Sequence, residues 1–127
     1  MNGVKRWLSV LAVTAVLPLV TSACGQGGGS DAVPSNAQRV NVVASDWKWT
    51  LDKTVFKAGV PVDFHVQSAE GVHGFNVVGT KINVTVAEGK APIDKVWTFT
   101  KPGTYTIRCS QYCGSGHDNM FVQFKVE

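Results

Sequence analysis

Residues 109–120 read CSQYCGSGHDNM, entered by TYTIRC (104–109) and left by MFVQFKV (120–126). The flanks are rich in Thr, Val, Ile and Phe and alternate in polarity, which predicts strands on either side of a short polar loop. That loop gathers Cys109, Cys113, His117 and Met120 within twelve residues. Thiolates and a thioether are soft donors, and a thioether suits neither zinc nor a hard cation, so sulfur with imidazole points to copper. Single blue-copper sites use one Cys, two His and a weak axial Met. Here there is one Cys more than such a site needs.

Two thiolates can bridge two copper ions, leaving each metal to find one imidazole and one weak axial donor. His117 is the loop's own imidazole. The second must be His65 or His73, because the chain contains three His. In VPVDFHVQ, Val62, Phe64 and Val66 share one strand face, while Asp63, His65 and Gln67 share the other, so His65 is expected on the solvent side. His73 lies in SAEGVHGF between Gly71 and Gly74, where a loop can aim a side chain at a site. His73 is therefore expected as the second imidazole. Met120 and a backbone carbonyl of the SQY segment, that of Gln111, are expected as the axial donors. A Cys109–Cys113 disulfide is the competing reading, and it leaves His117 and Met120 unexplained. Out of context, Met120 beside Phe121 would read as core.

Upstream, the pattern is short β segments separated by turns. RVNVVASDWKWTL and TVFKAGVPVDFHVQ come first, then GFNVV, KINVTV and DKVWTFT. No amphipathic helix of useful length interrupts them. An all-β sandwich or barrel follows. Trp97 and Phe99 alternate and are expected in its core, and Phe75, next to His73, is expected to shield the site from water. Trp47 and Trp49, two residues apart, should share a strand face. Arg108 either steadies the thiolates or points at solvent.

Residues 1–23 carry Lys5 and Arg6, then an apolar run, WLSVLAVTAVLPLV, shorter than the roughly 20 residues of a spanning helix and broken by Pro18. A signal peptide is expected. VTSAC resembles a bacterial lipobox, which would make Cys24 a lipidated N-terminus; an uncleaved anchor is the rival. Three Cys is an odd number, and one for lipid with two for metal accounts for all of them. Residues 24–38, CGQGGGSDAVPSNAQ, read as a flexible glycine-rich tether, and 39–127 as one domain. Losing Lys5 and Arg6 takes the net charge of +3 down by two. No basic stripe suggests nucleic acid as a partner.

HGFNVVGTKINV together with GTYTIRCSQYCGSGHDNMF resembles the CuA domain of cytochrome c oxidase subunit II, closest to the b-type subclass of haem–copper oxidases. The likeness spans 39–127. It implies a Greek-key cupredoxin fold and a binuclear, mixed-valence copper centre. It further implies that electrons arrive from a cytochrome c-type donor and pass to haem in subunit I, on the outer membrane face. Many relatives carry Glu where this chain has Gln111. A carbonyl ligand survives that change, but the carboxylate that helps hold magnesium does not. Trp47 and Trp49 resemble the aromatic segment through which relatives take in electrons; equally, they can close one end of the core. Relatives have transmembrane helices, whereas lipid on Cys24 is expected here.

Two other functions use similar ligands. A freestanding copper carrier or metallochaperone is one, although a thioredoxin-like chaperone would need alternating β and α patterns. A nitrous oxide reductase is the other, and its catalytic cluster needs many more His than three. With no haem-binding site or proton path legible, the domain alone is expected to reduce no oxygen.

Overall fold

The computed structural model describes residues 29–127. The expected signal peptide and Cys24 lie outside the described residues. The strands are β1 (Gln38–Ser45), β2 (Lys48–Leu51), β3 (Val55–Phe56), β4 (Val62–Ser68), β5 (Val72–Val77), β6 (Asn83–Ala87), β7 (Ile93–Trp97), β8 (Gly103–Cys109) and β9 (Phe121–Val126). Among the described residues a single 3-10 turn, His117–Asn119, precedes β9. One sheet has the order β2-β1-β4-β7 and the other β3-β9-β8-β5-β6. Two of the pairings, β1 with β4 and β3 with β9, are parallel. No helix among the described residues is long and apolar enough to cross a membrane.

Alternation drives each strand's inward face. Val40, Val42 and Ala44 of β1, Val62, Phe64 and Val66 of β4, and Phe124 and Val126 of β9 are all buried. Period-two patterning turns these residues toward the facing sheet and burial holds the two layers together. Phe64 is the hub of the aromatic core, with ring centroids 5.6 Å from Phe75, 5.7 Å from Phe124 and 6.3 Å from both Phe56 and Phe99. Phe99 is buried as expected, while Trp97 is only half-buried at its edge.

Two expectations need correction. The stretch 39–51 folds as a hairpin: Ser45 pairs with Lys48, leaving Asp46 and Trp47 as the turn. Trp47 and Trp49 therefore do not share a strand face; Trp49 is buried and Trp47 lies exposed at the tip. Nor is all of 24–38 free coil. The Asp31 amide donates to the Asp94 carbonyl (2.8 Å), the Val96 amide donates to the Asp31 carboxylate (3.0 Å), and the Asp94 amide donates to the Ser30 hydroxyl (3.1 Å). These residues lie along the outer edge of β7, where unpaired strand amides require partners.

His65 is on the outer sheet face, as its pattern indicates, but it is half-buried in a charged cluster. It contacts Asp94, and Arg39 reaches both Asp94 and Asp63 at 3.3 Å. Asp63 is fully buried, opposite Arg39 on β1 and Val96 on β7. Burial, then the neighbouring Asp94 charge, pushes the Asp63 carboxyl above the ordinary value of 3.8, with Arg39 and His65 opposing. A carboxyl so shifted favours the folded state most when protonated, below 3.8, and that contribution is lost as pH rises through its raised folded value. Asp63→Asn is accordingly expected to raise the thermal midpoint at pH 7, with the gap to the parent closing toward pH 3. Melting curves at the two pH values test this, and a gap independent of pH would count against it.

Candidate metal centre

Cys109 ends β8 and Met120 leads into β9, and the Cys109 amide donates to the Met120 carbonyl (3.1 Å), so the loop between them is closed at its base. The loop also docks on β5. The Ser110 amide donates to the Gly74 carbonyl (2.9 Å). A Cβ at residue 74 would lie 2.3 Å from Ser110 Oγ and 2.7 Å from the Gln111 amide nitrogen, so only glycine permits this approach. Gly74 thereby brings β5, and with it His73, against the cysteine loop.

His73 is fully buried and its Nε2–H donates to the Glu70 carbonyl (2.7 Å), with the Asp46 carboxylate 3.3 Å away. The edge of Trp49 supports the ring, the centroids lying 6.1 Å apart. With Nε2 so held, Nδ1 is the nitrogen left over, and it is buried without a hydrogen-bond partner. An orphaned imidazole nitrogen costs stability unless something fills its lone pair. One ligating atom each of His73, Cys109 and Cys113 lie within 4.8 Å of one another.

Cys109 and Cys113 are free thiols with Sγ atoms 3.3 Å apart, against about 2 Å in a disulfide. Around Cys113 Sγ stand His117 Nδ1 at 3.4 Å and Met120 Sδ at 3.8 Å. The Cys109 thiol donates to the Gln111 carbonyl (3.0 Å), whereas the Gln111 side chain turns away and accepts from the Thr85 hydroxyl. The structure thus brings together His73, Cys109, Cys113, His117, Met120 and the Gln111 carbonyl, and leaves His65 in the outer-face cluster. Phe75 lies buried beneath, edge-on to Trp49 at 5.4 Å. Arg108 points outward, lining a shallow cavity with Asp118, Phe121 and Gln123.

Sequence reasoning missed the supporting partners Glu70 and Asp46. Glu70 acts on His73 through its backbone carbonyl, which carries no residue-type signal. Asp46 becomes visible only once the hairpin turn is placed over the site.

The donor set fits a soft metal: two sulfurs side by side, two imidazoles close by, and weaker thioether and carbonyl donors. Sheet order, strand pairing and this loop together define a cupredoxin-like domain carrying a candidate metal-ligand cluster at the loop between its last two strands. No family model matches the chain. Two curated proteins, both cytochrome c oxidase subunit 2 of Thermus thermophilus, are 40% identical to it over 92 residues, 72% of this chain. The chain spans 67% of the length of one and 54% of the other. It belongs to the cytochrome c oxidase subunit 2 family. Its structure is similar to the periplasmic domain of subunit II of cytochrome oxidase of Bradyrhizobium japonicum (TM-score 0.68, 16% identity, 76% of this chain and 88% of that one). It is also similar to a chain of a haem–copper terminal oxidase dimer (TM-score 0.58, 28% identity, 81% and 72%).

In the metal-free protein, burial, then the neighbouring Cys109, pushes the Cys113 thiol up to about 12. It is protonated at neutral pH and must lose that proton to bind metal. Soft-metal affinity should therefore fall at least about tenfold for each pH unit below 8, with proton release in weakly buffered solution. Titration of the full chain at pH 6, 7 and 8 measures both; affinity indifferent to pH would remove Cys113 from the ligands.

Proposed function

We propose that this chain is the electron-accepting subunit II of a haem–copper oxidase, and that it holds a binuclear CuA centre through His73, Cys109, Cys113, His117, Met120 and the Gln111 carbonyl. One observation carries the reading. The paired thiols of Cys109 and Cys113 are flanked by the unpartnered Nδ1 of His73 and by Nδ1 of His117. A copper pair held by these residues would supply one-electron uptake and release.

The chain's own part is to hold these donors still. Glu70 and Asp46 orient His73, fixing which ring nitrogen is offered to metal. Gly74 locks the loop to β5, and the Cys109–Met120 hydrogen bond locks it to the sheet. The aromatic layer of Trp49, Phe75 and Phe64 excludes water from below. Donors that need not move when charge arrives or leaves keep the reorganisation of electron transfer small.

The donor would be a cytochrome c-type protein and the acceptor haem in subunit I. Gln111 in place of the Glu of many relatives supports the b-type subclass. The domain would work on the extracytoplasmic face, held to the membrane by lipid on Cys24. Family membership supports the donor, the acceptor and the membrane face, and the VTSAC motif supports the lipid.

Electron paramagnetic resonance on the copper-loaded full chain, with copper quantified, tests the centre. Two coppers per chain and one electron shared equally between them are expected. A single-copper pattern at one metal per chain would replace the relay with a copper carrier. A second prediction separates the residues. Met120→Leu should keep copper and raise the reduction potential, because a lost neutral donor destabilises the oxidised state more. His65→Ala should leave the spectrum untouched. An unchanged potential in the first variant, or copper loss in the second, would reverse those assignments.

A further inference from the structure

Trp47 sits at the tip of the β1–β2 hairpin and belongs to neither strand. It is 39% exposed, so burial alone does not account for a large ring at that place. Its indole N–H donates to the Cys113 carbonyl at 2.7 Å. Its ring also occupies the space above two loop glycines. A Cβ at residue 114 would lie 2.9 Å from both Cζ2 and Nε1 of Trp47, and one at residue 116 would lie 2.5 Å from Cγ.

The two glycines differ in an informative way. Gly114 has φ 121°, a conformation that itself favours glycine. Gly116 has φ −93° and ψ 5°, which other residues adopt readily. Backbone freedom therefore does not explain glycine at 116; the indole does. The loop has been cut to fit Trp47.

We infer that Trp47 is a positioning residue that clamps the metal-ligand loop to the β1–β2 hairpin, presetting Cys113 and His117 for metal. The inference rests on the metal-centre reading above. Cys113 is the loop position where a clamp has most effect, because its sulfur faces Cys109, His117 and Met120 at once. Its carbonyl is held by the indole, and His117 follows directly after the covered Gly116. The hydrogen bond fixes the thiol's backbone, and the ring limits how far the intervening turn can lift. Outer partners of this kind commonly change metal affinity about 10–100-fold.

A double-mutant cycle tests it on the full chain. Trp47→Phe keeps a ring and removes the N–H, Trp47→Ala removes both, and Gly116→Ala evicts the ring while leaving Trp47 in place. In the metal-free protein, the Trp47 indole proton should exchange with solvent slowly, and Gly116→Ala should accelerate it. After copper loading, Trp47→Ala and Gly116→Ala should each release copper to a chelator about tenfold faster. The double variant should be no faster than either alone, since both break one clamp. Trp47→Phe should fall between, with a shifted visible spectrum and an unchanged metal-free melting temperature. Additive effects in the cycle, or release unchanged throughout, overturn the clamp. Parent protein that takes up no copper instead overturns the metal-centre reading, and metal-free indole exchange then decides the clamp alone.

Discussion

Everything at the ligand end of this molecule depends on how β8 and β9 are joined. Arg108 pairs with Phe121 at the last rung of their ladder, and the Cys109 amide then bonds to the Met120 carbonyl. A sulfur donor thus stands at each mouth of the loop, anchored to a rigid sheet. The loop itself has almost no regular structure, only the turn His117–Asn119. Its shape is imposed by neighbours: the ladder below, Gly74 of β5 at one side and the β1–β2 hairpin above. Ordering a segment in advance moves its conformational cost into folding and out of binding.

The same arrangement explains why two sheets of modest size suffice. The aromatic core runs from Phe124 and Phe56 through Phe64 and Phe75 to Trp49, on whose edge His73 rests. Packing of this density resists displacement. His73 is therefore coupled mechanically to the middle of the sandwich, while the cysteines are coupled to its last ladder. The candidate donors come from separate elements, yet each is held by the same core.

How much of this was legible in the chain follows from how local each feature is. Cys109, Cys113, His117 and Met120 declare themselves because their spacing is contained in one loop. His73 and His65 read differently because alternation places His65 on the outer face and glycines flank His73, and the structure puts them in those two places. The strand-rich character was equally readable from Val, Thr and Phe. The long-range features were not. Parallel pairing of β1 with β4 and β3 with β9 depends on contacts between distant segments, to which local patterning is blind. Trp47 and Trp49 look equivalent on a continuous strand, and only the turn at residues 46 and 47 separates a tip residue from a core residue. Asp63 fits a solvent-face pattern, yet it is buried beneath its neighbours. Ser30 and Asp31 lie in glycine-rich sequence that reads as coil, because what orders them is the unpaired edge of β7, some sixty residues onward.

That edge has a practical bearing. β7 closes one side of its sheet, and without a partner its outward amides would form a template for another chain. Ser30 and Asp31 occupy those positions, and Asp31 also meets Lys95 at 3.2 Å. A recombinant domain trimmed to the apparent start of the β pattern at Arg39 would lose this cover and bare the amides of Asp94 and Val96. The natural boundary of the folding unit lies upstream of its first strand, in residues whose composition looks dispensable. Ser30 and Asp31 cover that edge while contributing nothing to either the core or the candidate ligand set.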